Sequence, residues 1–206
     1  MVSNFWPAER LKHIKTSGIR RFFALATEMP DSINLSVGEP DFSPPRRILA
    51  AGSQAARNGK THYEPTNGID ELREALVRKA FHDYGLVYDV NSEVLVTVGG
   101  TEAIFLALFG LVNQGDEVLI PNPGFVVYEP GVRLAGGVPV SMPLLEGRDF
   151  KVSVGDVTSL ITDKSRVIIL NYPNNPTGGV LSFDELAALA EVAVERDLIV
   201  ISDEVY

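Results

Sequence analysis

The sequence predicts an α/β fold: a mostly parallel sheet with helices on both faces, preceded by an N-terminal arm. Three observations predict it. Short apolar runs rich in β-branched residues recur from Val94 to Ser202. The strongest of them are apolar throughout rather than alternating, as in strands buried on both faces. The stretches between them are long enough for a helix, which is what a right-handed crossover between parallel strands requires.

The strand candidates are Val94-Leu95-Val96-Thr97-Val98, Glu117-Val118-Leu119-Ile120, Val138-Pro139-Val140, Arg166-Val167-Ile168-Ile169-Leu170 and Leu198-Ile199-Val200-Ile201-Ser202. Helical patterns lie between them. Thr101 to Val112 is apolar on most sides and is expected as a buried helix. Phe183 to Arg196 is amphipathic and opens with Ser182-Phe183-Asp184-Glu185, a capping-box pattern. Ser153 to Ile161 carries the related Ser153-Val154-Gly155-Asp156. Earlier, Arg46 to Arg57 is entered through Pro44-Pro45, and Ile69 to Tyr84 ends at Gly85. Residues 1–45 have a different texture: helical pieces, then Asn34-Leu35-Ser36-Val37 and a Gly/Pro-rich turn, expected as an arm outside the sheet. The last apolar run stops almost at Tyr206. It is expected either as a strand near a sheet edge or as an inner strand in the first part of a longer polypeptide.

Composition excludes several classes. The chain has 206 residues, 45% hydrophobic and 22% charged, which is ordinary globular composition. Its net charge is −9 with no basic cluster, so no nucleic-acid partner is expected. No apolar run approaches the roughly 18 residues of a membrane span, and the start shows no signal-peptide pattern. A cytoplasmic location is expected. The absence of cysteine removes disulfides, zinc–thiolate sites and cysteine nucleophiles.

Several motif fragments fail their tests. Gly59-Lys60-Thr61 looks like the end of a phosphate-binding P-loop, but position 54 is Gln54 and a helix is expected before it, not a strand. No dinucleotide fingerprint and no G-x-S-x-G elbow is present. His13, His62 and His82 lack metal-ligand spacing, and no metal site is expected.

Four segments at strand ends carry chemistry, each with a plainer alternative. Gly99-Gly100-Thr101 joins a strand to a helix, and serves either as an anion seat at a helix N-terminus or as a tight turn capped by Thr101. Asn171-Tyr172-Pro173-Asn174-Asn175-Pro176-Thr177-Gly178-Gly179 is a rigid loop able to aim an amide, or a turn cluster. Asp203, in Ser202-Asp203-Glu204-Val205-Tyr206, is a satisfied structural acid or a catalytic partner. Phe125, in Pro121-Asn122-Pro123-Gly124-Phe125, taken alone reads as a core aromatic. Placed at the C-terminal ends of successive parallel strands, all four can converge on one crevice.

In this order the segments resemble the fold-type I pyridoxal-phosphate enzymes, specifically the class I/II aminotransferases of the aspartate and aromatic group. The resemblance begins at Leu35-Ser36-Val37-Gly38-Glu39-Pro40-Asp41-Phe42. It passes through Tyr63-Glu64-Pro65-Thr66-Asn67-Gly68, Glu71-Leu72-Arg73, Gly99-Gly100-Thr101-Glu102-Ala103 and Asn174-Asn175-Pro176-Thr177-Gly178, and ends at Asp203-Glu204-Val205-Tyr206.

The resemblance implies reversible amino-group transfer between an amino acid and a 2-oxo acid, with pyridoxal 5'-phosphate as cofactor, in a homodimer. Residues 1–45 would be the arm and part of a small domain, and 46–206 the first part of the cofactor-binding large domain. Gly100 and Thr101 would hold the cofactor phosphate, and Phe125 would stack on the ring. Asn175 and Tyr206 would donate to its phenolic oxygen, and Asp203 would face its ring nitrogen. Gly38 and Asn175 would seat the substrate carboxylate, and Tyr63 would reach the phosphate of the neighbouring subunit. Asn122-Pro123 and Asn175-Pro176 are the expected cis bonds.

The family's Schiff-base lysine lies beyond the Asp-Glu-x-Tyr strand. Lys12, Lys15, Lys60, Lys79, Lys151 and Lys164 do not match its segment, so the chain alone is expected to be inactive. The alternatives are a lyase of the same fold type and a non-catalytic protein that binds the cofactor or a partner.

Overall fold

The structure is a computed structural model that describes residues 8–14, 22, 25, 28, 29, 31, 33, 38 and 40–206. It divides into two compact units, Ser17–Val98 on the one hand and Met1–Thr16 with Gly99–Tyr206 on the other. Asn34-Leu35-Ser36-Val37 and most of the expected arm lie outside the described residues.

In the Ser17–Val98 unit, α1 (Arg46–Arg57) and α2 (Asp70–Tyr84) fall where the periodicity places them. Pro45 caps α1, and α2 stops at Gly85, which takes the left-handed conformation. Helix α1 precedes Gly59-Lys60-Thr61, as the rejection of a P-loop required. The buried polar centre of this unit is Arg73, 5% exposed. Its Nε donates to the Gly68 carbonyl at 3.1 Å, and its two terminal nitrogens donate to the Val90 carbonyl and the Asp70 carboxylate. One guanidinium thereby ties the turn before α2, the helix's first residue and the chain leaving it.

Val94–Val98 is not a strand, contrary to expectation. Its apolar, β-branched texture meets the side-chain requirement, but a strand also needs a neighbouring ladder. Here the segment takes no strand conformation, its Val96 amide bonds to the Asn67 carbonyl at 3.0 Å, and Val98 is 95% exposed. The exposure contradicts burial on both faces.

The second unit carries the sheet. Strands β1 (Glu117–Asn122), β2 (Val138–Pro143), β3 (Ser165–Asn171) and β4 (Ile199–Asp203) are all parallel, in the order β2-β1-β3-β4. Alternation along the central strands divides the core into two layers. Val118, Ile120, Val167 and Ile169 face α3 (Gly100–Leu111) and α4 (Tyr128–Leu134) through Ile104, Leu108, Tyr128 and Val132. Leu119 and Ile168 face α5 (Val154–Leu160) and α6 (Phe183–Glu195) through Val157, Leu189 and Ala193. Both faces are therefore covered by helices. Each fully buried aliphatic chain contributes on the order of 2 kcal/mol of apolar transfer.

Among the described residues strand β4 pairs only with β3, at the edge of the four-stranded sheet, with Val200 exposed. The capping box of α6 is present in both directions, Ser182 Oγ accepting from the Glu185 amide and Glu185 from the Ser182 amide. Ser153 caps α5 in one direction, its Oγ accepting from the Asp156 amide at 3.1 Å, while the Asp156 carboxylate pairs with Arg148.

Two further corrections concern helices. Helix α3 is not buried all round: Ile104 and Leu108 enter the core, while Leu106 and Phe109 are exposed. Uniform apolar composition cannot say how many sides find a neighbour. Helix α4 was not singled out in the sequence because Pro130 and Gly131 interrupt it. Pro130 sits in the first turn, where its missing N–H has no helical partner to lose. Gly131 passes so close to α3 that a Cβ would come within 2.9 Å of Leu108 Cδ1. Among the described residues no helix is long and apolar enough to cross a membrane.

Candidate functional site

Parallel strands deliver their last residues to one edge of the sheet, so β1, β3 and β4 bring Asn122, Asn171 and Asp203 to the same side. Asn171 and Asp203 are register partners on adjacent strands. Asn171 is buried, and its amide is used at both ends. Nδ2 donates to the main-chain carbonyl of Asp203 at 3.0 Å, and Oδ1 accepts from the Asn175 amide at 2.9 Å. This single side chain fixes where the Asn175 loop leaves the sheet relative to Asp203.

The Asp203 carboxylate has two partners. Tyr128 Oη donates to Oδ2 at 2.6 Å, and the Val205 amide approaches Oδ1 at 3.3 Å. Tyr128 is 1% exposed and belongs to the core under α3 and α4. Burial, with the bond to Asp203 and that residue's charge next, pushes its phenol well above the usual tyrosine range. Tyr128 is therefore a neutral donor throughout the physiological range. Phe125 packs edge-on against it, with centroids 5.8 Å apart and planes at 83°. Phe125 is half-buried, so part of its ring stays accessible.

The loop after β3 is braced internally. Asn174, buried, accepts at Oδ1 from Thr177 Oγ1 at 2.8 Å, its amide donates to the Gly179 carbonyl at 2.9 Å, and its carbonyl receives the Gly178 amide at 2.8 Å. Asn174 Nδ2 has no partner among the described residues. Asn122-Pro123 and Asn175-Pro176 are cis, as expected, and so is Tyr172-Pro173.

Gly99 and Gly100 begin α3, with Gly99 rather than Thr101 at the cap position and no side-chain cap. Gly99 has φ 151°, a conformation that disfavours any side chain, and a Cβ on either glycine would meet nothing within 4 Å. Thr101 is in the helix's first turn and is exposed. Tyr206, three residues beyond Asp203, is also exposed. Gly38 and Tyr63 belong to the other unit. Both are exposed, Tyr63 completely.

The sequence reading named Asp203 and Asn175 but missed what holds them, Tyr128 and Asn171. Asn171 stood at the polar end of an apolar strand, a usable signal. Tyr128 follows Phe125 at a one-turn spacing, but nothing in one sequence links it to position 203. Of the described lysines in this unit, Lys12 pairs with Glu9 and Lys151 with Glu185, while Lys164 immediately precedes β3, at the opposite end from Asn171.

Residues 30–206 match the family described as aminotransferase class I and II. The chain belongs to that family. It is 44% identical over 199 residues to an aspartate aminotransferase of Pyrococcus abyssi, covering 97% of this chain and 51% of that one. It is 43% identical over 199 residues to aromatic-amino-acid aminotransferase 2 of Thermococcus litoralis, again covering 97% and 51%. The solved structure of Thermus thermophilus aspartate aminotransferase with maleate superposes with a TM-score of 0.93 at 38% identity, over 98% of this chain and 54% of that one. The chain thus spans about half the length of these class I and II aminotransferases, and its α/β architecture is that of the fold-type I enzymes.

The donor set fits the cofactor of such aminotransferases. It comprises a carboxylate for a ring nitrogen, an aromatic face, an amide, and a helix N-terminus that begins at two glycines with open space around them.

Proposed function

We propose that the whole protein transfers an amino group between an amino acid and a 2-oxo acid, using pyridoxal 5'-phosphate held by this unit. The observation that carries the reading is the Asp203 carboxylate at the end of β4, fixed by Tyr128 and joined through Asn171 to the Asn175 loop. When bound, the cofactor supplies an electron sink for the pair left at the substrate Cα after proton loss.

Each residue has a part that its chemistry suits. Asp203 keeps a proton on the ring nitrogen by placing negative charge beside it. Phe125 covers one face of the ring and excludes water from it. Thr101 offers its hydroxyl, and Gly100 its amide, to the phosphate at the positive end of α3. Asn175 and Tyr206 donate to the phenolic oxygen. Asn175 also orients the substrate carboxylate.

The full exposure of Tyr63 supports a role across a homodimer, reaching the partner's phosphate. The ion pairs of Lys12 and Lys151, and the place of Lys164 at the far end of the sheet, support the reading that none of these three is the covalent lysine of the reaction. The 206-residue chain alone is accordingly expected not to turn over.

The test is a titration of the chain with pyridoxal phosphate, followed by absorbance. Asp203→Ala and Asn175→Ala should each weaken binding by about tenfold or more. Unchanged affinity in both variants would overturn the assignment. For the whole protein, formation of a new 2-oxo acid from an amino-acid donor is the activity to measure.

A further inference from the structure

We infer that Tyr128 is a positioning residue for Asp203, aiming the carboxylate at the cofactor's ring nitrogen through the hydrogen bond to Oδ2. The inference rests on the cofactor reading above. Nothing in the sequence motifs singles out Tyr128, which is 75 positions away in the chain and lies on a different element.

Packing alone does not account for the hydroxyl. Tyr128 sits among Ile104, Leu108, Val118 and Val132, an environment that a phenylalanine ring fills equally well. A buried hydroxyl without a partner is costly, so its presence needs a compensating acceptor. That acceptor is a carboxylate at 2.6 Å, a charge-assisted bond. Oδ2 meets the core phenol and, among the described residues, Oδ1 meets the Val205 amide alone, at 3.3 Å. The two oxygens are therefore unequal: Oδ2 is committed to Tyr128, and Oδ1 is the one available to a ligand. Phe125 packs edge-on against Tyr128, so the same phenol braces the ring-stacking residue and the acid.

A purely structural tie and a positioning role differ in one readout. The probes are pyridoxal phosphate and its analogue with the ring nitrogen replaced by C–H, each titrated into the 206-residue chain. The wild-type chain should prefer pyridoxal phosphate, because only it offers Asp203 a nitrogen. Tyr128→Phe should reduce that preference on the order of three- to tenfold, the effect expected for losing a hydrogen bond to a charged group. Equal weakening of both ligands, or no change in either, would overturn the inference while leaving the cofactor reading intact. No preference in the wild-type chain would overturn both.

A second measurement does not depend on the Tyr128→Phe protein folding. With ζ-carbon-labelled tyrosine, the Tyr128 resonance at neutral pH should shift in Asp203→Asn, which removes the charge facing the phenol, while those of the exposed Tyr63 and Tyr84 stay in place. A Tyr128 resonance that Asp203→Asn leaves unmoved would mean that the two groups are not coupled, against the inference.

Discussion

Asn171 Nδ2 lies 3.0 Å from the main-chain carbonyl of Asp203, its register partner on the neighbouring strand. The bond is made by a side chain where the ladder ends, and the same amide accepts from the Asn175 N–H. Two backbone groups of the site are thus satisfied by one buried residue.

Asn171→Ala should therefore cost about 1–3 kcal/mol, because the Asp203 carbonyl and the Asn175 amide both lose their partner. Asn171→Asp keeps an acceptor for Asn175 but turns an oxygen toward the Asp203 carbonyl, so it should be no better. Urea unfolding of the chain measures both. A midpoint unchanged in Asn171→Ala would show that water replaces the amide without loss.

Arg73 gives a second prediction, within the Ser17–Val98 unit. Its guanidinium fork serves two carbonyls and one carboxylate from a buried position. Asp70 is exposed and can be solvated without Arg73, but the carbonyls depend on it. Arg73→Ala should cost at least about 2 kcal/mol. Arg73→Lys should recover only part of that, since one ammonium cannot span the same three acceptors. The thermal midpoints of the two variants should rank alanine below lysine, and lysine below wild type.

The acid side of the pH profile gives a third. The Ser182 amide and hydroxyl, with Lys151, hold the Glu185 carboxyl below its usual range. Its folded value lies below its ordinary 4.5, so the stabilisation is complete above that pH and is lost as pH falls through the folded value. The stability difference between wild type and Glu185→Gln should be largest at neutral pH and shrink below about pH 4. Unfolding curves at pH 7 and pH 3 measure it, and an equal difference at both would contradict the ionised capping box. Ser182→Ala, which removes the cap itself, should cost on the order of 1 kcal/mol.

These cases show what one sequence carries and what it does not. β1 and β3 were legible because burial on both faces leaves an unbroken apolar run, and α6 because its capping box is local. Val94–Val98 has the same texture without being a strand, because pairing depends on a neighbour and not on composition. Helix α4 was hidden by Pro130 and Gly131, residues whose fitness depends on their place in the first turn and against Leu108. In the site, Asp203 and Asn175 were legible from their place at strand ends. Tyr128 was not, because a bond across 75 positions leaves no local pattern.

Gly99 and Gly100 are adjacent glycines whose substitution should have opposite consequences. Gly99 holds φ 151°, which an L side chain strongly resists, although the space around it is open. Gly99→Ala should therefore cost about 1–3 kcal/mol from the backbone alone. Gly100 is the first residue of α3 and also faces open space. Gly100→Ala should leave stability unchanged or raise it slightly, since alanine restricts the unfolded chain more. The added methyl nevertheless occupies the space where the phosphate is proposed to approach the helix amides. Gly100→Ala should then bind pyridoxal phosphate more weakly while unfolding at the same or higher urea concentration. If instead affinity held while stability fell, the open space at this turn would be incidental to binding, and the phosphate would have to be placed elsewhere in the unit.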